Sequence, residues 1–185
     1  MNAADAAWIV LTAIWVAGAF TNKPTVRRQS LGWLAVHCLV LAVVLRLLVS
    51  KTLQAGPLAW RFVPDAHAFH WAGDGLQIVG LAFAIWARLH IGRNWSGDVT
   101  LKRDHALVRS GPYALVRHPI YSGLSLAIFG RALAHGNVAG LLAFVLVLFE
   151  WNRKWRVEER FMVEQFGAEY LRYRQEVKAL IPYVW

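Results

Sequence analysis

Cysteine is almost absent from this sequence. The single Cys38 cannot close an intrachain disulfide and offers no thiolate cluster for a metal, so neither a disulfide scaffold nor a metal centre is expected. No Gly-x-Gly-x-x-Gly fingerprint occurs anywhere, which counts against a Rossmann-type cofactor domain. Internal repeats and low-complexity linkers are missing too, so residues 1–185 read as one domain. No Lys or Arg precedes the first apolar run, where Asp5 stands instead, and a cleavable signal peptide is not expected. Acidic residues are scarce, 11 against 20 Lys and Arg, leaving a net charge of +9 and a pI near 10.3.

Apolar residues are plentiful. They make up 57% of the chain, with ten tryptophans and a mean hydropathy of +0.39, above the roughly 45–50% of ordinary soluble domains. Five apolar runs can be read: Ala6 to Phe20, Leu31 to Val49, Leu76 to Leu89, Ile120 to Ala134 and Val138 to Phe149. The first two approach the ~20 residues that cross a bilayer; the others cross only if their helices run on past the hydrocarbon.

The basic residues test this independently. With the amino terminus outside, three fall inside after the first run (Lys23, Arg27, Arg28). Five more fall inside after the third (Arg93, Lys102, Arg103, Arg109, Arg117) and seven after the fifth (Arg153, Lys154, Arg156, Arg160, Arg172, Arg174, Lys178). Only Lys51, Arg61 and Arg131 fall outside. Such alternation is the signature of membrane topology, and a soluble bundle has no reason to produce it. The expected fold is therefore all-α: an integral membrane bundle of about five transmembrane helices, an ordered cytoplasmic loop and a C-terminal amphipathic helix. Basic residues beside apolar spans also account for the high pI through topology and anionic headgroups, so no nucleic acid partner is expected. Arg46 lies near the end of the second run, where it can snorkel.

Two stretches do not fit a purely apolar bundle. The loop from Gly92 to His118 is long enough to carry function, and its Trp95, Val99, Leu101, Leu107 and Val108 could pack as a pocket wall. It ends in "GPYALVRHPIYSG", residues 111–123, at the doorstep of the fourth run. Pro119 suits the first turn of a helix and biases His118 towards an extended conformation. The helix start then offers unpaired N–H groups to a polar or anionic ligand, with Tyr121 able to stack or hydrogen-bond and Gly123 permitting close approach. The second stretch, "FEWNRKWRVEERFMVEQFGAEY", puts Arg153, Arg156, Arg160 and Glu159 on one broad helix face. Beyond it, Met162, Phe166, Tyr170, Tyr173 and Val177 form an amphipathic stripe interrupted by Gly167.

"LVRSGPYALVRHPIYSG" together with "RVEERFMVEQFGAEYLRYRQEVKALIP" resembles the isoprenylcysteine carboxyl methyltransferases and the related phospholipid methyltransferases. These are small integral membrane enzymes that use S-adenosylmethionine. The resemblance covers roughly Gly92 to Pro182, and it divides the chain into N-terminal spans (residues 1–74) and a cofactor-binding core (75–185). It implies that Leu107, Val108, Gly111, Pro112, Tyr113, Leu115, Val116, Arg117, His118, Pro119 and Tyr121 line the cofactor, and that Glu158 and Glu159 hold its polar end.

The acceptor is expected to be lipidic or a small hydrophobic molecule, most simply a carboxylate of the isoprenylcysteine type. A carboxylate needs no general base but needs an arginine to orient it, and Arg153 or Arg156 is expected in that role. An amine or thiol acceptor would need a base, for which Glu150, Asp98, His105 and His118 are candidates. The departures are a single glutamate pair and the lack of the further spans of longer eukaryotic members. Chain size suggests a bacterial inner membrane, with the site facing the cytoplasm. Two alternatives are an NADPH-dependent membrane reductase of the sterol reductase type and a non-enzymatic transport or accessory protein. The sequence carries no signal for oligomeric state.

Overall fold

The computed structural model of the chain describes residues 3–19, 25–28, 30–50, 52–53, 56–92, 95, 100–102 and 107–184. Among the described residues, seven α-helices run in the order α1 (Ala3–Ala19), α2 (Leu31–Val49), α3 (His67–Ile91), α4 (Pro112–Leu115), α5 (Pro119–His135), α6 (Val138–Phe166) and α7 (Ala168–Glu176). A short antiparallel ribbon pairs β1 (Thr25–Arg28) with β2 (Thr100–Lys102). It ties the α1–α2 connection to the loop that follows α3.

Local chemistry sets the helix ends. Ser30 caps α2, its hydroxyl accepting from the Trp33 N–H at 3.3 Å. Asn137 does the same for α6 through the Gly140 N–H at 2.9 Å. Pro119 opens α5, and Gly136 closes it at φ 67°, leaving a two-residue link that folds α6 back antiparallel. Three apolar runs prove to be parts of longer helices. The 25 residues of α3 and 29 of α6 measure about 37 Å and 43 Å at 1.5 Å per residue. Each exceeds the ~30 Å hydrocarbon thickness, and α6 carries its apolar half directly into the charged stretch. Among the described residues, α2 is the one helix long and apolar enough in itself to cross a membrane, with the shorter Ala3–Gly18 segment apolar as well.

The long helices pack in the spatial order α1, α3, α5, α6, α2. At the centre, α3 and α5 meet along glycines spaced seven apart: Gly73 faces Gly130, and Gly80 faces Gly123. A Cβ on Gly80 would lie 2.5 Å from the Gly123 carbonyl oxygen, and one on Gly123 equally close to that of Gly80. Ala84 and Ala127 extend this small-residue seam, which lets two backbones touch where apolar burial drives little association. Gly123 therefore serves the helix seam rather than ligand approach. Between α2 and α6 the core is larger, built from Val44, Leu47, Val147, Trp151 and Trp155. Both cores converge on the start of α5.

Candidate active site

After α4 the chain is extended at Val116 and bends at Arg117 into the first turn of α5. The backbone N–H of Arg117 donates to Lys178 O at 2.8 Å and that of His118 to Ala179 O at 3.0 Å, while the Ser122 hydroxyl donates to Leu180 O at 2.6 Å. The carboxy-terminal segment thus splints the Arg-His-Pro turn. It reaches the turn because the chain bends at Gly167, φ 52°, so the stripe from Met162 to Val177 is divided between α6 and α7. Tyr173 on α7 then donates its hydroxyl to Tyr113 O at 2.5 Å, and Arg109 pairs with Glu176.

Two adjacent carboxylates on α6 face this turn with different surroundings. Glu159 is buried, and both its oxygens are taken. Arg117 reaches Oε1 with Nε and Nη2 at 2.8 Å, His118 Nε2 lies 3.1 Å from the same atom, and Arg174 Nε lies 3.3 Å from Oε2. Burial pushes the Glu159 carboxyl up, but the His118 hydrogen bond and the Arg117 charge outweigh it and hold it at about 2. An ionised carboxylate only accepts, so His118 carries its proton on Nε2. Glu158 is more open, with a quarter of its side chain exposed; it accepts from the Tyr121 hydroxyl at 2.5 Å, and His118 Nδ1 lies 3.7 Å away.

Aromatic rings form the wall beside these carboxylates. Trp155, His118, Tyr121 and Trp151 stack in one column, with centroid separations of 5.8, 5.6 and 4.8 Å and interplanar angles of 18–19°. Lys154 places its ammonium 5.9 Å from the Tyr121 ring. A column locked on both faces fixes the Tyr121 hydroxyl, and with it Glu158.

The expected ligand-lining residues fall around this centre unevenly. Pro112, Tyr113, Val116, His118 and Pro119 are buried, whereas Leu115 is exposed. Gly111, at φ 58°, makes room for the His90 ring, which would lie 2.7 Å from a Cβ there. His90 in turn meets the Ser110 hydroxyl at 2.9 Å and stacks on Tyr113. Leu107 and Val108 are half-buried. Burial above all, with the charge of Glu158, raises the Tyr113 phenol well beyond its ordinary value.

The two arginines expected to orient an acceptor lie elsewhere. Arg153 grips Glu150 with Nε at 2.9 Å and Nη2 at 2.6 Å and stacks on Trp33. Arg156 is exposed and bonds Asn152 at 3.1 Å. Glu150, a candidate base, is fully buried against His37 at 2.6 Å. Sequence reading missed His37, whose one signal is an imidazole inside an apolar span. Asp98 and His105 lie outside the described residues.

The phospholipid methyltransferase family model matches residues 68–169, more than half the chain, including the Arg-His-Pro turn and the glutamate pair. The chain belongs to the phospholipid methyltransferase family. It is 38% identical over 113 residues to a protein-S-isoprenylcysteine O-methyltransferase of Schizosaccharomyces pombe, covering 60% of this chain and 48% of that one. The corresponding protein of Saccharomyces cerevisiae is 36% identical over 96 residues, covering 50% and 40%. This family member therefore spans about half the length of the curated relatives it matches. A solved structure of the eukaryotic intramembrane Ras methyltransferase ICMT superposes with a TM-score of 0.56 at 26% identity, covering 84% of this chain and 54% of that one.

Proposed function

We propose that the chain is a membrane methyltransferase that moves a methyl group from S-adenosylmethionine to a lipidic or small hydrophobic acceptor, most simply a carboxylate of the isoprenylcysteine type. The observation that carries this reading is the convergence of the stacked His118–Tyr121 column and the half-open Glu158 carboxylate at the amino terminus of α5. This donor set suits the cofactor: a carboxylate for its ammonium or ribose hydroxyls, flat rings for its base, and helix N–H groups for its carboxylate. When bound, S-adenosylmethionine supplies an activated methyl on a sulfonium.

Glu158, oriented by Tyr121, holds the cofactor's polar end in this reading. Glu159 keeps the Arg-His-Pro turn attached to α6 and α7. A carboxylate acceptor attacks without a base, so the residues need only align the two partners and exclude water. A cation and an anion become neutral products, and a poorly hydrated pocket favours that loss of charge.

The helices α1, α2, α3, α5 and α6 serve as five spans in a bacterial inner membrane, with the amino terminus outside and the site on the cytoplasmic face. Their large apolar side chains point outward, as with Leu39, Leu45, Val79 and Phe149, and their loop charges alternate. The test is calorimetric titration of the detergent-purified protein with S-adenosylhomocysteine, with NADPH as control. Micromolar binding of the first, lost in His118→Ala, supports the reading; preference for NADPH, or binding of neither, overturns it.

A further inference from the structure

Arg88 stands in the last turn of α3 and is 4% exposed. Its Nη1 donates to Gly92 O at 3.0 Å, and its guanidinium lies 4.3 Å over the Trp95 ring. Neither Nε nor Nη2, both buried, has a hydrogen-bond partner among the described residues. These two atoms form one edge of the planar fork, the edge that a carboxylate or phosphate takes with two parallel bonds. No described carboxylate forms an ion pair with it.

Four other arginines around the site already pair with carboxylates of this chain. Arg117 and Arg174 hold Glu159, Arg153 holds Glu150, and Arg109 holds Glu176. Space around Arg88 is also specified by the sequence: a Cβ on Gly18 of α1 would lie 2.0 Å from its Nη2. An open apolar surface on α1, lined by Trp8, Ile9, Thr12, Ala13, Val16 and Ala17, stops one residue short of that glycine in the chain.

We propose that Arg88 receives the oxyanion of an anionic amphiphile through its Nε and Nη2 edge, with the apolar tail lying along α1. Resting on the methyl-transfer reading, this makes Arg88 the residue that positions the acceptor. Burial of an unmet bidentate edge makes sense when a ligand completes it. The ligand class is a lipid-borne carboxylate or phosphate; a free anion, lacking the tail, gains too little.

Binding is measured for S-farnesyl-N-acetylcysteine, its neutral carboxamide, and lysophosphatidic acid, each with and without S-adenosylhomocysteine. At least one oxyanion amphiphile should bind ten times or more tighter than the carboxamide. Arg88→Met and Gly18→Ala, which displaces the guanidinium without removing it, should each abolish that ratio while leaving affinity for S-adenosylhomocysteine within twofold. Arg88→Lys should restore only part of it. Which oxyanion prevails separates a carboxylate acceptor from a phospholipid. A wild-type protein that does not discriminate charge, or discrimination that survives in Gly18→Ala and Arg88→Met, overturns the assignment. Should Arg88→Met fail to fold, the wild-type ratio and Gly18→Ala still decide. Failure of S-adenosylhomocysteine to bind counts against the methyltransferase reading alone, because the amphiphile ratio is also read without it.

Discussion

His37 on α2 and Glu150 on α6 meet at 2.6 Å across 113 residues of sequence, both buried. Trp33 stacks on the imidazole at 5.5 Å, and Arg153 takes the other carboxylate oxygen with its Nε at 2.9 Å. An ionised group inside an apolar interface has to be paired, and here the pairing fastens α2 to the helix that carries the site.

The two partners should differ in what they contribute. Glu150→Leu strands both His37 and Arg153 and should cost about 3 kcal/mol. His37→Leu leaves Glu150 its forked arginine and should cost about 1 kcal/mol. Reversible unfolding in detergent measures both, and equal losses would contradict a network centred on Glu150.

The α3–α5 seam predicts opposite effects for two glycines in one helix. Gly80→Ala drives a methyl into the Gly123 carbonyl oxygen at 2.5 Å, where backbone must move, and should cost roughly 3 kcal/mol or more. Gly75→Ala meets nothing within 4 Å and should stabilise the helix by about 0.5–1 kcal/mol. Unfolding of the two variants side by side checks the pair, and a neutral Gly80→Ala would mean the helices are not in backbone contact.

Tyr121→Phe separates stacking from orientation. Its ring keeps the column between His118 and Trp151, while Glu158 loses the hydroxyl that accounts for its 2.5 Å contact. Affinity for S-adenosylhomocysteine should fall about tenfold, the worth of one good hydrogen bond, with little change in thermal stability. Unchanged affinity would remove Tyr121 from ligand positioning.

Sequence alone locates the Arg-His-Pro turn, the glutamate pair and the approximate helices, because proline, alternating loop charge and long apolar runs act locally. It does not reveal which glutamate is spent on the scaffold. Glu158 and Glu159 are neighbours in the chain, and only the return of Arg174 and the 178–180 segment distinguishes them. Arg153 and Arg156 sit beside the glutamates in sequence, yet helix geometry turns one to Glu150 and the other to solvent. Arg88 and His37 are single polar residues in apolar runs, unremarkable until distant helices pack around them. The glycine spacing of seven was present in both α3 and α5, but its meaning depends on the two helices pairing.

The same division between the glutamates predicts how the protein responds to acid. Glu159 has an ordinary carboxyl value of 4.5 when unfolded and about 2 when folded. A depressed folded value means its contribution is complete above about pH 4.5 and is lost as pH falls towards 2. The difference corresponds to roughly 3 kcal/mol. Glu159→Gln should therefore be less stable at neutral pH and show a flatter loss of stability between pH 4.5 and 2, since Arg117 and Arg174 lose their carboxylate at every pH and His118 keeps only Glu158, 3.7 Å from its Nδ1. Glu158→Gln should instead weaken binding of S-adenosylhomocysteine. Unfolding midpoints across that pH range, with titrations at neutral pH, test both halves. An unaltered acid slope in Glu159→Gln would show that the turn is held by its backbone bonds to residues 178–180 rather than by this carboxylate.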